Sequence, residues 1–252
     1  MITFSLNSGS NGNAIYVEAG DVRLLFDAGI SGKQAEGRMR VHRRDIRDVQ
    51  AIIISHDHSD HVRCAGIFQR KFGLPIYMTR PTHHAIYCNL GQLKDVRYFK
   101  SGEPLWFNGV TVHTIPTPHD AADGTAFVIE HDGKQLGIMT DLGHPFPELV
   151  RRIPTLDACY LESNYDPDML ANGPYPFQLQ QRIRGPKGHL SNFEAAELVR
   201  DAARKLRWAA IAHLSQENND PQLALDTHRK HVGRMFPLFH ASRYEVSEIM
   251  EV

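Results

Sequence analysis

The chain has 252 residues, with 28 lysines and arginines against 29 aspartates and glutamates, and 42% of it is hydrophobic. This length and balance fit a folded chain with a large core, exclude extensive disorder, and exclude a protein that coats nucleic acid by bulk charge. No apolar run approaches the roughly 20 residues of a membrane span, and the opening MITFSLNSGS lacks the basic-then-apolar pattern of a signal peptide.

In chain order, β-type runs are predicted at Ile2–Leu6, Ala14–Glu18 and Val22–Phe26, with a turn at 7–13 (Asn-Ser-Gly-Ser-Asn-Gly-Asn) between the first two. A helix over Ser31–His42, a buried strand Ala51–Ile54, a helix Val62–Phe72, a strand Pro75–Met78 and a helix Pro81–Leu90 follow. A second β-rich block runs through Leu105–Phe107, Val110–Ile115, Thr125–His131 and Gln135–Met139, then a strand Thr155–Leu161. An irregular Pro/Gly-bearing stretch (165–188) precedes a helix Asn192–Leu206, a strand Trp208–Ala212 and a helix Pro221–Val232. No repeat, low-complexity tract or linker interrupts the pattern, so residues 1–252 read as a single domain. Two β-rich blocks, each followed by helices, predict an α+β fold of two sheets with helices outside.

Three scattered cysteines, Cys64, Cys88 and Cys159, form no Cys-x-x-Cys pair, which predicts reduced thiols and a cytoplasmic protein. Histidine is the unusual residue, with 15 copies. Apolar strands repeatedly end in a polar, metal-competent residue: Asp27, His56, Asp141, Glu162 and His213, with His119 a short turn beyond its strand. Side chains at strand ends are rigidly placed and open to substrate.

The densest signal is His56-Asp57-His58-Ser59-Asp60-His61. On an extended turn His56 and His58 can point the same way and hold one ion, while Asp60 and His61 serve a second as the chain enters a helix. Zinc-like ions take about four N and O ligands each, so both ions need more donors, and His119, Asp141 and His213 supply them. A carboxylate has two oxygens, which makes Asp141 the natural bridge. A lone histidine is usually a surface or core residue, and His42, His83, His84, His113, His131, His144, His228, His231 and His240 are read so.

Phe26-Asp27-Ala28-Gly29, the 56–61 hexamer, His119, Met139-Thr140-Asp141 and His213 together resemble the metallo-β-lactamase-fold hydrolase superfamily. The resemblance implies a four-layer αββα sandwich without a large inserted domain, and two divalent metal ions, zinc first, with manganese or iron also suited to mixed donors. It implies one ion on His56, His58 and His119, the other on Asp60, His61 and His213, and Asp141 bridging. Asp27 is implied as the residue that orients the histidine loop.

Such a centre lowers the pKa of a shared water and presents it as hydroxide, which specifies hydrolysis but not the bond. Lactam cleavage is disfavoured, because zinc β-lactamases commonly place a cysteine where Asp141 stands. A glyoxalase II-like thioester hydrolase keeps the same seven ligands and stays open, and a non-catalytic DNA-binding protein is the alternative of another class.

Phosphodiester substrates are favoured by further pieces. The 7–13 turn offers amides and hydroxyls to a phosphate, with Ser8, Ser10 and Asn11 as contacts. Asn164 follows a strand end, and Gly188-His189-Leu190-Ser191-Asn192 opens a helix, whose positive end suits phosphate. Arg184 and Lys187 lie in a stretch (178–189) without acids. Residues 38–47 are also rich in arginine, which a solvated helix face explains about as well. These pieces, with 8–14, 27–34 and 213–219, are similar to the YycJ/WalJ group of exonucleases. The expectation is a 5′ to 3′ DNA exonuclease, DNA favoured over RNA, with a place in DNA repair and no membrane partner. Its metal-bridging hydroxide is oriented by Asp60, and His189 stabilises or protonates the leaving oxygen.

Overall fold

The computed structural model describes all residues, 1–252, and the chain divides into two compact units. The first comprises Met1–Pro116, Ala121–Thr125 and Ser242–Glu251; the second comprises Thr117–Asp120, Ala126–Ala241 and Val252.

In the first unit the strands β1 (Ile2–Asn7), β2 (Ala14–Ala19), β3 (Val22–Phe26), β4 (Ala51–Ile53), β5 (Ile76–Thr79) and β6 (Val96–Phe99) lie side by side in sequence order. The terminal β14 (Met250–Glu251) pairs antiparallel with β1. β1 to β3 form an antiparallel meander, and β3 to β6 run parallel. Crossovers between parallel strands need helices, and the unit supplies α1 (Gly32–Val41), α2 (Ser59–Val62), α3 (Ala65–Phe72) and α4 (Arg80–Ala85). A hairpin of β7 (Leu105–Phe107) and β8 (Val110–Pro116) completes it. Leu25, Ile52, Ile54 and Met78 from the sheet region pack with Met39, Phe68 and Phe72 of the helices in one buried cluster.

Several boundaries differ from expectation for local reasons. The helix expected over Val62–Phe72 is broken at Arg63–Cys64. Its amide at Cys64 bonds Ala28 O (2.9 Å) because Asp60 O is taken by Asn13 N (2.7 Å). The helix expected to reach Leu90 stops at Ala85. Strands β6 and β14 were not expected at all.

In the second unit β9 (Thr125–His131) and β10 (Lys134–Met139) are antiparallel. β10, β11 (Ala158–Glu162), β12 (Trp208–Ala212) and β13 (Leu238–His240) then run parallel in that order. β11 and β12 are buried at every position, the mark of central parallel strands covered on both faces. Helices α5 (Pro147–Arg152), α6 (Pro167–Asn172), α7 (Phe177–Arg184), α8 (Asn192–Ala202) and α9 (Pro221–Val232) connect and follow them. The stretch 165–188 is therefore not irregular. Its prolines sit at helix starts, Pro167 in the first turn of α6 and Pro176 at the cap of α7, where a missing N–H costs nothing. α5 begins the same way at Pro147, and β13 is a further unexpected strand.

A buried polar network lies beyond the end of β11. The Ser163 hydroxyl donates to Asn192 Oδ1 (2.7 Å), Asn192 and Asn219 exchange amide hydrogen bonds (2.9 Å each), and Asn219 Nδ2 also donates to the carbonyls of Ser163 and Asn164. His228 Nε2 is 3.1 Å from Ser163 Oγ. The Ser163 proton is already given to Asn192, so the imidazole must be the donor here. Its Nδ1 has no hydrogen-bond partner. Burial first, and His231 second, push the His228 pKa down to about 3.

Two expectations follow. The unfolded chain binds a proton at His228 below about pH 6.5 and the folded chain only near pH 3, so stability is full above 6.5 and falls with acidification. Between pH 6.5 and 4 this one group accounts for a loss of about 3 kcal/mol. Denaturant unfolding across that range should show a shallower pH dependence in His228→Asn than in the parent. The second concerns glycines. A Cβ on Gly29 would stand 1.7 Å from Asp60 O and 2.6 Å from Asn13 N, whereas one on the helical Gly37 meets nothing within 4 Å. Gly29→Ala should lower stability by about 2 kcal/mol or more and Gly37→Ala should raise it by about 0.5–1 kcal/mol, both read from thermal midpoints.

Candidate metal centre and its supports

In the first unit the histidine loop hangs from Asp27, the residue after β3. Asp27 has φ of 66°, a left-handed backbone that is uncommon outside glycine and asparagine. Its buried carboxylate accepts hydrogen bonds from Ser55 N (2.8 Å), Ser55 Oγ (2.9 Å) and His61 Nδ1 (2.7 Å). A carboxylate can only accept, so His61 carries its proton on Nδ1 and its lone pair on Nε2. That Nε2 lies 3.4 Å from Asp60 Oδ2 and 2.9 Å from Asn13 Nδ2. The His56 ring is 4.1 Å from that of His61 and 4.6 Å from that of His58, centroid to centroid, and its Nδ1 meets Ser55 Oγ at 2.9 Å. Backbone bonds from Ala28 N to His61 O (2.7 Å) and from Gly29 N to Asn13 O (2.9 Å) clamp the motif 26–29 beneath the loop. Asp57, the other acid of the hexamer, serves the fold instead, accepting from Ala122 N at 2.9 Å.

In the second unit His119, Asp141, Glu162, His189 and His213 converge. His119 Nε2 and His213 Nε2 each lie 3.6 Å from Asp141 Oδ1. That is too long for a hydrogen bond and close to the edge of a tetrahedron whose ligand bonds are about 2.0–2.1 Å. The His119 Nδ1–H donates to Gly188 O (2.8 Å), which presents Nε2 inward. Burial pushes the His119 pKa down, the direction that favours the neutral imidazole a metal requires. Asp141 and His213 share with Asp27 a left-handed backbone, at φ of 56° and 54°. Donor atoms of Asp141, Glu162, His189 and His213 all lie within 4.8 Å of one another. In both units the donors are buried or partly buried imidazoles and carboxylates, several of them (His56, His61, His119 and His189) held through their Nδ1 atoms, and this chemistry fits a divalent metal.

Glu162 is the member that sequence reasoning left without a role, although its strand-end position was visible. It is wholly buried at the end of β11. Oε1 accepts from His189 Nδ1 at 2.5 Å, and Oε2 accepts from Leu142 N at 2.9 Å. The His189 ring stacks on His213 with centroids 5.5 Å apart.

Other expected contacts fall elsewhere. Asn164 is buried, and its side-chain amide donates to His213 O (2.8 Å). Ser8 is buried, and the amides of Ser8, Gly9, Gly12 and Asn13 are spent on Ser242 O, Asn13 Oδ1, Gly9 O and Asp60 O. A phosphate cradle made of those four amides is therefore ruled out. Ser10 and Asn11 are the exposed members of the turn, and the Asn11 amide donates to Arg243 O at 3.3 Å. The start of α8 is likewise closed. Ser191 and Glu194 cap it reciprocally, placing a carboxylate where an anion was expected. In the 38–47 run, Arg40 and Arg47 pair with Glu36, and Arg44 pairs with Glu18. Arg38 donates to Leu6 O and Tyr244 O. Arg184 and Lys187 are exposed in the second unit.

Comparison with known proteins identifies the family. The model of the Beta-lactamase superfamily domain matches residues 22–210. The chain is 34% identical to the exodeoxyribonuclease YycJ of Bacillus anthracis, over 87% of this chain and 84% of that protein. It is 32% identical to the exodeoxyribonuclease WalJ of Streptococcus pneumoniae, over 87% and 83%. Among solved structures, the metallo-beta-lactamase fold protein YhfI from Bacillus subtilis superposes with a TM-score of 0.78 over 100% of this chain and 99% of that one, at 16% identity. The fold is thus the α+β fold expected, with no extra domain, and no helix is long and apolar enough to cross a membrane. The chain belongs to the metallo-β-lactamase-fold superfamily of metal-dependent hydrolases and, within it, to the YycJ/WalJ group.

Proposed function

We propose that the chain is a phosphodiesterase that removes nucleotides from the 5′ end of DNA, acting as one hydrolase domain in the cytoplasm and serving DNA repair. The observation that carries this reading is the similarity to two exodeoxyribonucleases over 87% of the chain, together with the donor set described above. We assign His56, His58, Asp60, His61, His119, Asp141 and His213 to hold two divalent ions, zinc first. When bound, such a pair activates water and neutralises phosphate charge.

The protein's own groups do the rest. Asp60 is a half-buried carboxylate beside His61 and orients the attacking water. His189 gives a proton to the departing sugar oxygen. Its Nδ1–H is held by Glu162, which fixes the ring and leaves Nε2 as the atom that exchanges protons with substrate. Glu162 is in turn fixed by the Leu142 amide, so the pair is rigid. Asp27 and Asn164 keep His61 and His213 aimed.

The test uses metal-loaded protein with 5′-labelled single- and double-stranded DNA and RNA, and S-lactoylglutathione beside them. Release of 5′ mononucleotides from DNA is the expected result. Asp60→Ala and Asp141→Ala should abolish it, and chelation should do the same until metal is restored. His189→Ala should cost about 10²–10⁴ in turnover. The loss should be much smaller on a phosphodiester with a p-nitrophenol leaving group, which needs little protonation. Equal losses on both substrates, or none on DNA, would remove His189 as the acid. Rapid thioester cleavage with inert nucleic acids would overturn the substrate.

A further inference from the structure

α7 has no buried residue, unlike α8 and α9 in the same unit. Only Leu179, Gln180 and Ile183 of it are even partly buried, so most of the helix is surface. Phe177 stands 71% exposed at its start. Gln181 and Arg184 follow at four and seven residues, which places all three on one face. From Met169 to Phe193 there is no Asp or Glu, while Arg182, Arg184 and Lys187 supply positive charge. Arg182 is engaged with Asp120. Arg184 and Lys187 are exposed and make no ion pair.

The segment is also coupled to the candidate acid. His189 N donates to Ile183 O within α7 (2.9 Å), and Gly188 N donates to Gly185 O (2.9 Å). A Cβ on Gly188 would stand 1.9 Å from Ile183 O, so the two pieces approach as closely as glycine permits. A ligand held on α7 is thereby held at a fixed distance from His189.

We propose that α7 and the loop after it grip an unpaired nucleic-acid strand, with Phe177 stacking on a base and Arg184 and Lys187 contacting phosphates. This rests on the nuclease reading above and adds its strand requirement: Phe177 needs an unstacked base, so single-stranded ends and overhangs bind better than blunt duplex. An aromatic residue beside cations without acids is the composition that sequence-tolerant single-strand binding uses.

The experiment measures Kd for a hydrolysis-resistant phosphorothioate oligonucleotide, and KM and kcat for its cleavable counterpart, with metal-loaded protein. Phe177→Ala should weaken single-strand binding by about five- to a hundredfold and raise KM in step, while Phe177→Trp restores both. The double change Arg184→Ala with Lys187→Ala should reduce the slope of log K against log salt by about 1.4, from two lost single-strand phosphate contacts. Thermal midpoints and metal content serve as controls for folding. A parent that cleaves DNA with a Phe177→Ala variant binding within twofold overturns the grip and leaves the nuclease reading standing. Loss of self-association in Phe177→Ala, seen by sedimentation with unchanged Kd, overturns it in favour of a protein interface. A parent that neither binds nor cleaves oligonucleotides yet turns over S-lactoylglutathione overturns both.

Discussion

The buried carboxylate of Asp27 is the constraint on which the first unit's donors depend. An ionised carboxylate out of water is costly unless its lone pairs are met by donors. Here an amide, a hydroxyl and an imidazole meet them, all from the loop that carries the histidines. The same bonds that make the charge tolerable select the His61 tautomer and tether Ser55, which in turn touches His56. Removing the acid would therefore free two imidazoles at once, although neither is its neighbour in sequence. Glu162 plays the corresponding part in the second unit, tied to one backbone amide and holding one ring.

Backbone strain marks the same places. Asp27, Asp141 and His213 each follow a strand, or nearly so, and each turns left-handed there. Such conformations cost about 1 kcal/mol or more in a residue with a side chain. Glycine would relieve the strain and lose the donor. A left-handed residue at a strand end reverses the chain abruptly, so the side chain stays at the rim instead of running on along the strand. The strain persists because hydrogen bonds from neighbouring segments over-determine each position, as Asn164 does for His213.

This explains which parts were legible in the sequence. β3, β12 and α9 were read to the residue because continuous apolar runs or a helical period ended in unambiguous stops. The 56–61 hexamer and its strand-end partners were legible because their chemistry is local and unusual. Asn164 and the amides of the 7–13 turn are legible as polar groups that could meet phosphate, but that the fold consumes them is not. Polar residues beside a site look alike in sequence whether they face solvent or knit the backbone. The amide exchange between Asn192 and Asn219 joins positions 27 apart and has no local signature. The helices within 165–188 were hidden for another reason: proline is read as a break, yet at a first turn it starts a helix.

The buried amides and the exposed cations divide the labour that the sequence had blurred. Groups able to make several hydrogen bonds with little charge, such as Asn13, Asn164, Asn192 and Asn219, are consumed inside the protein, where they fix donors without altering the charge near them. The charged groups around 182–187 remain outside, where a polyanion can be met at long range and released when salt competes. On the proposed nuclease reading the two properties would serve different steps. Reacting groups that must not shift between turnovers would rest on the rigid, buried hydrogen bonds, and a hold weak enough to slip by one nucleotide would come from solvent-screened contacts on α7.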